Sequence, residues 1–328
     1  MKVAILGLGA VGRGVLEVLA TQKTGLVVTA VADSKSAVIE SEGIDIKAIL
    51  AQKKDSGICG DLTLSAADIV TTADYDILVE VTPTDVETGE PALSYIKEAL
   101  ARGKHVVTSN KGPIALHYPE LSQIASTKGV VIGFEATVCG AIPIIQTLRH
   151  GLAGNDVRRV FGVLNGTCNY ILTRMADEKL TYAQALLEAR ELGYAEADPT
   201  YDIKGIDAAI KLVILANAVW NLNVSLNDVD CAGIDQVTTE AIALAEEEDY
   251  TIRLIAELIP ATGQMRVAPR LLPRNHTLIV QHTLNAVAVE TDLAGDITLI
   301  GKGAGSLETA SAILSDLIFI RDFYDRST

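Results

Sequence analysis

Gly7, Gly9 and Gly12 are spaced G-x-G-x-x-G, directly after the β-prone apolar run of residues 3–6. They stand directly before residues 13–20, where Val15, Leu16, Val18 and Leu19 recur at helical spacing. Strand, glycine turn and helix in that order form the dinucleotide-binding fingerprint, in which each glycine has its own task. The first permits the tight turn, the second lets the backbone approach a pyrophosphate, and the third permits close helix packing. The helix start adds free N–H groups, so Gly7, Gly9, Ala10, Val11 and Gly12 are the candidate phosphate cradle. Asp33 ends the next apolar run, residues 27–32, where a carboxylate accepts hydrogen bonds from a ribose and opposes a 2′-phosphate. That favours NAD, whereas Lys35, two residues on, reverses the preference if it reaches the phosphate. The cofactor is therefore read as NAD(P).

Further apolar runs at residues 77–81, 105–108 and 130–132 alternate with helical stretches such as residues 89–102. Such alternation predicts an α/β fold, a doubly wound parallel sheet covered on both faces. Beyond residue 135, glycine- and asparagine-rich turns at 138–143 and 165–169 alternate with alanine- and leucine-rich helices at 182–192 and 206–218, which predicts a second, α+β domain. Near the end, a glycine-rich turn at 301–305 leads into a helix over 308–320, with Ala310, Ile313, Leu314 and Leu317 on one face. The expected division is 1–134 for a Rossmann-type nucleotide-binding domain, 135–300 for a substrate domain, and 301–328 for a C-terminal helix.

The chain is 328 residues long and 49% hydrophobic, enough for two packed domains. Its 27 basic against 42 acidic residues leave a net charge of −15, which disfavours nucleic acid and anionic lipid as partners. No apolar run approaches the length of a membrane span, and the glycine-broken start with Arg13 and Glu17 is unlike a signal peptide. Cys59, Cys139, Cys168 and Cys231 match neither a metal nor a dense disulfide spacing, which fits a reducing, cytoplasmic setting.

Ser109, Asn110 and Lys111 follow the 105–108 strand, and Thr82 follows the 77–81 strand, so all four emerge at the carboxyl edge of the sheet, where ligands of such sheets gather. Asp207 and Lys211 are spaced i, i+4 and share a helix face. This spacing is commonly a surface ion pair. Here, however, Ile206, Ala208, Ala209, Ile210, Leu212 and Val213 surround it, and a helix apolar nearly all round is buried, so the two charges are expected to line a cleft. Upstream, Glu196, Asp198 and Asp202 crowd one loop. They form either a solvated acidic loop or a site for the ammonium of a small amino acid.

The fingerprint, Ser109-Asn110-Lys111, Glu135-Ala136-Thr137-Val138, Asn165-Gly166-Thr167-Cys168-Asn169, Gly193-Tyr194-Ala195-Glu196-Ala197-Asp198-Pro199, Gly205-x-Asp207-x-x-x-Lys211 and Gly303-Ala304-Gly305 stand in one order along the chain. Together they resemble homoserine dehydrogenase over essentially its whole length. The resemblance implies NAD(P)-dependent interconversion of L-homoserine and L-aspartate 4-semialdehyde, on the route to threonine, methionine and isoleucine. It implies Lys211 as proton donor assisted by Lys111, and Glu196, Asp207 and Asp202 as substrate-binding residues. Gly305 is implied near the cofactor, and the C-terminal helix is implied to return to the first domain. A monovalent cation such as Na+ is implied on the carbonyls of Glu135, Val138, Gly140 and Ile142, and a homodimer is implied through the second domain. No residues are left for the regulatory domain that many relatives carry. One departure stands out: the family usually has glycine at the position of Cys139 and often at that of Ala141, and if the backbone there needs a positive φ, cysteine or alanine strains it. Two other readings stay open, another NAD(P)-dependent amino-acid oxidoreductase such as an aspartate dehydrogenase, and a cofactor-binding sensor without catalysis.

Overall fold

A computed structural model describes residues 1–324 of the chain. The described residues form two six-stranded sheets in two compact units, one made of Met1–Gly140 with the chain from Gly305 onward, the other of Ala141–Ala304. The first unit runs β1 (Lys2–Leu6), α1 (Ala10–Thr21), β2 (Val27–Ala32), β3 (Ala37–Ile39), α2 (Ile46–Ser56), α3 (Ala66–Thr72), β4 (Ile77–Glu80), α4 (Ala92–Ala101), β5 (His105–Thr108), α5 (Lys111–Lys128) and β6 (Ile132–Gly133). Its strand order is β3-β2-β1-β4-β5-β6. Every pairing is parallel except β2 with β3.

Because side chains alternate along a strand, β1 and β4 feed both faces at once. Val3, Ile5, Ile77 and Val79 pack on one face with Val15, Leu16 and Leu19 of α1 and with Ala310, Ile313, Leu317 and Ile320 of the C-terminal helix, Ser306–Tyr324. Helices α3 and α4 lie against β2, β4 and β5. Strand order reverses between β1 and β4, so the turn after β1 and the loop after β4 open at the topological switch point, where doubly wound sheets bind their ligands. The C-terminal helix is tied in by Asp316, whose buried carboxylate accepts the Glu135 N–H at 2.9 Å. Gly133 admits this contact, since a Cβ there would stand 2.7 Å from the Asp316 side chain.

The second unit runs α6 (Ile144–Gln146), β7 (Val157–Val163), α7 (Gly166–Asp177), α8 (Tyr182–Glu191), α9 (Thr200–Ile203), α10 (Ile206–Trp220), β8 (Val229–Cys231), α11 (Thr239–Glu247), β9 (Tyr250–Ile259), β10 (Gln264–Pro273), β11 (Leu284–Thr291) and β12 (Asp296–Lys302). Its order is β12-β11-β7-β9-β10-β8, antiparallel apart from β10 with β8. Helices α7, α10 and α11 lie against this sheet. Helix α10 is the most deeply embedded, with every residue from Ala208 to Ala218 buried. Among the described residues no helix is long and apolar enough to cross a membrane.

Candidate functional site

The three glycines of the first turn are needed for different reasons. Gly7 has φ +102°, and a Cβ there would meet the Val81 carbonyl oxygen at 2.4 Å. A Cβ at Gly12 would lie 1.9 Å from the Gly7 carbonyl oxygen. A Cβ at Gly9 would meet nothing within 4 Å. Packing thus accounts for the first and third glycines, while the second keeps an open approach beside the start of α1. Gly9 is also the N-cap of α1 and offers no side chain to its N–H groups, so the exposed Ala10 and half-buried Val11 stand where an anion is favoured. The residues present fit a dinucleotide. Ser306 Oγ donates to the Ala10 carbonyl at 2.6 Å, bringing the start of the C-terminal helix beside that of α1. Gly305, with φ +133°, turns the chain into that helix.

Asp33 follows β2 and is turned into the protein. Its Oδ1 accepts the N–H of Lys35 at 2.7 Å, the N–H of Ser36 at 2.8 Å and the Ser36 hydroxyl at 3.1 Å. Its Oδ2 accepts Lys53 Nζ of α2 at 2.6 Å, and its side chain is 3% exposed. Burial works to raise its pKa, but the Lys53 hydrogen bond and the two N–H groups outweigh it and hold the carboxyl at about 2. Lys35 meets Asp33 through its main chain, and the ammonium beside Asp33 is that of Lys53, which the sequence reading did not single out.

A second carboxylate was also missed. Glu80, at the end of β4, is wholly buried and accepts the N–H of Thr82 at 2.9 Å, the Thr82 hydroxyl, and the Thr108 hydroxyl at 3.1 Å. Burial pushes its carboxyl up, against these hydrogen bonds. Asn110 closes the same knot: its Nδ2 donates to the carbonyls of Thr82 at 3.4 Å and Pro83 at 3.3 Å, and its Oδ1 caps α5 at the Gly112 N–H. Half-buried Ser109 and Lys111 flank that cap, Lys111 as the first residue of α5.

In the second unit the i, i+4 pair of α10 is a short ion pair, Lys211 Nζ to Asp207 Oδ2 at 2.7 Å, with the two side chains only 9% and 13% exposed. Lys211 also donates to the Leu164 carbonyl at 2.6 Å. The next residue, Asn165, donates through Nδ2 to the same Asp207 oxygen at 2.9 Å and to Asp202 Oδ1 at 2.7 Å. Burial raises the Asp202 carboxyl, and the neighbouring Asp207 charge adds to that rise. Asp207 thus meets both the Lys211 ammonium and the Asn165 amide, and Asp202 meets the same amide. Glu196 lies exposed on the loop between α8 and α9 and makes no hydrogen bond among the described residues. Asp198 on that loop accepts the Thr200 N–H and hydroxyl, a local turn. Cys168 is buried with its thiol pKa raised well above normal by burial, unlike an activated nucleophile.

The stretch from Glu135 to Ile142 begins as a 3-10 turn over Glu135–Thr137 whose first carbonyl accepts the Val138 N–H, and the Ile142 carbonyl accepts the Ile144 N–H. Cys139 and Gly140 are both left-handed, with φ +60° and +53°. The cysteine therefore sits where glycine is favoured, at a cost on the order of 1 kcal/mol. Among the described residues no group of three or more His, Cys, Asp or Glu side chains is placed to hold a metal.

A family profile described as homoserine dehydrogenase matches residues 143–318, and one described as homoserine dehydrogenase, NAD binding domain, matches residues 7–135. The chain is 45% identical to the homoserine dehydrogenase of Methanocaldococcus jannaschii, over 98% of each chain. It is similar to a crystal structure of a putative homoserine dehydrogenase from Archaeoglobus fulgidus, with 46% identity, TM-score 0.91 and coverage of 98% of this chain and 99% of that one. It is also similar to a hyperthermophilic archaeal homoserine dehydrogenase in complex with NADPH, with 32% identity, TM-score 0.84 and coverage of 97% and 96%.

Proposed function

The chain belongs to the homoserine dehydrogenase family, NAD(P)-dependent oxidoreductases acting on a CH–OH group, and from that premise we propose how its residues carry the reaction. The observation that carries this reading is the cluster at the head of α10: the buried Lys211 ammonium is paired with Asp207, and the Asp207 carboxylate shares the Asn165 amide with Asp202 of α9. Lys211 gives a proton to the carbonyl oxygen of L-aspartate 4-semialdehyde as negative charge develops there, and takes it back from L-homoserine in the reverse direction. The Leu164 carbonyl and Asp207 hold that ammonium in one orientation. The neighbouring carboxylates of Asp202 and Asp207 suit the α-ammonium of an amino-acid substrate. Asp202, Asp207 and the exposed Glu196 are the groups assigned to it. Lys111, at the head of α5, is the second lysine assigned to the reaction.

When bound, NAD(P) supplies the hydride for the reduction and accepts it in the oxidation. Gly7, Gly9, Ala10, Val11 and Gly12 are assigned to its pyrophosphate, Asp33 and Lys35 to the adenosine ribose end, and Thr82, Ser109, Asn110, Lys111 and Gly305 to the rest of its contact surface. The open approach at Gly9 and the uncapped α1 support this assignment. The carbonyls of Glu135, Val138, Gly140 and Ile142 are assigned to a monovalent cation such as Na+. The second unit is assigned the dimer contact of a homodimer, and the cytoplasm, with its NAD(P) pool, is the assigned compartment.

Purified protein incubated with L-homoserine and NAD+ or NADP+ is expected to produce reduced cofactor, read at its near-ultraviolet absorbance, and to leave L-aspartate untouched. Turnover of L-aspartate alone would replace this reading with an aspartate dehydrogenase, and cofactor binding without turnover of either would leave a sensor. Activity that does not change when Na+ is exchanged for a bulky organic cation would remove the cation assignment.

A further inference from the structure

The oxygen and both amide hydrogens of Asn165 are engaged at the centre of the cluster beside α10, yet no step of the reaction described above uses it. Its Oδ1 accepts the Cys168 N–H at 2.8 Å and so caps α7. That bond fixes which way the amide faces, leaving both Nδ2 hydrogens for carboxylates: Asp202 Oδ1 at 2.7 Å and Asp207 Oδ2 at 2.9 Å. Asp207 Oδ2 is the same oxygen that takes Lys211 Nζ. Leu164, one residue earlier, gives Lys211 its other main-chain acceptor. Two consecutive residues at the end of β7 thus hold the ion pair from both ends, one at the ammonium and one at the carboxylate. Asn165 is itself buried, at 4% exposure.

We propose that Asn165 is a positioning residue, whose amide holds the Asp207 carboxylate in the orientation that anchors Lys211 and keeps Asp202 beside it. This rests on the reading of Lys211 as the proton donor. Two carboxylates in one half-buried site repel each other, and something must stand between them. A neutral amide with two donors relieves the repulsion without adding a cation, and so leaves the carboxylates their charge for a cationic substrate group. The cap on α7 pins the amide to the backbone, so the orientation of Asp207 follows from where α7 begins rather than from the rotamer freedom of a long side chain.

The test uses two variants that both keep a good helix cap, Asn165→Ser and Asn165→Asp. In Asn165→Ser the hydroxyl caps but cannot reach the carboxylates, so kcat for homoserine is expected to fall about tenfold or more while KM for the cofactor stays within about twofold. A crystal structure of that variant is expected to show Asp207 Oδ2 and Lys211 Nζ parted beyond about 3.5 Å. Asn165→Asp sets a third carboxylate against Asp202 and Asp207, with Lys211 and the Cys168 thiol as the other titratable neighbours. Its kcat relative to wild type is expected to be lowest at neutral pH and to rise as pH falls toward about 5, where the new carboxyl takes a proton and donates one of the lost hydrogen bonds. The proposal is overturned if Asn165→Ser leaves the Asp207 to Lys211 contact intact, if both variants keep kcat within about twofold of wild type, or if the Asn165→Asp ratio is flat with pH. The crystallographic distance does not depend on which substrate turns over. A wild-type protein inert toward homoserine would therefore remove the reading of the reaction while this separation still decides the role of Asn165.

Discussion

The molecule contains two aspartate–lysine pairs of nearly equal length, Asp33 with Lys53 at 2.6 Å in the nucleotide-binding unit and Asp207 with Lys211 at 2.7 Å in the other. Distance does not distinguish them; the way hydrogen-bond donors are shared does. Asp33 is one carboxylate receiving four donors, and its single cation neutralises it. Asp207 takes the Lys211 ammonium and shares its amide donor, Asn165, with a second carboxylate, Asp202. The first cluster is closed, and its carboxyl is held down at about 2. In the second, burial with the Asp207 charge pushes the Asp202 carboxyl up. Two adjacent carboxylates, one of them so perturbed, can receive a cationic group from a ligand.

The largest effect separating the two belongs to Lys211. Lys211→Ala is expected to lower kcat about a hundredfold or more with cofactor affinity unchanged, since a general acid contributes on that scale. Steady-state kinetics and cofactor titration check it, and a variant above a tenth of wild-type kcat, as roughly expected of a bystander, would put Lys211 on a level with Lys53.

The next effect lies in acid. The folded pKa of Asp33 is below its unfolded value, so its contribution to stability is present above about pH 4 and is lost as pH falls toward 2. Asp202 runs the other way: its folded pKa is raised, so its ionised form costs stability at neutral pH, and that cost is relieved as pH falls. Urea unfolding of wild type and Asp33→Ala should differ by on the order of 2 kcal/mol at neutral pH and converge between about pH 4 and 2. A difference that persists unchanged at pH 2 would show that Asp33 acts through packing and not through its charge.

Cofactor choice sharpens the contrast from the nucleotide side. Asp33→Ser removes the carboxylate and leaves the Lys53 ammonium without it, so the ratio of kcat/KM for NADP to that for NAD is expected to rise about tenfold, the scale of one charge-assisted hydrogen bond. An unchanged ratio would mean that the closed pair at Asp33 does not face the ribose and that selection lies elsewhere. The smallest effect concerns the rim of the other cluster. Glu196→Gln is expected to raise KM for homoserine by only a few-fold, because the side chain is exposed and screened. No change in KM would leave the loop merely solvated, and the binding of the substrate ammonium would rest on Asp202 and Asp207 alone.

How much of this was legible beforehand varies with how local the cause is. The glycine turn was readable because its chemistry lies within six residues, and the separate reasons for Gly7, Gly9 and Gly12 reappear as two tight backbone contacts and one open face. Helix α10 was readable because a helix apolar nearly all round is buried wherever it goes. The hairpins β9–β10 and β11–β12 were not located, only a mixed second unit, since short apolar runs do not by themselves distinguish strand from buried helix. Glu80 lay inside the 77–81 run without being singled out, and its hydroxyl partners come from the loop after β4 and from β5.

Sequence alone determined the fingerprint, the order of the motifs, the burial of α10 and the pairing of Asp207 with Lys211, because each follows from spacings of one turn or one strand. Only tertiary structure decided which lysine meets Asp33, since Lys53 lies a helix away along the chain. It likewise decided that Asn165 spends its amide on Asp202 and Asp207. A side chain reaches only what folding brings within about 3 Å, and the residues that meet there are separated by tens of positions that no local spacing encodes.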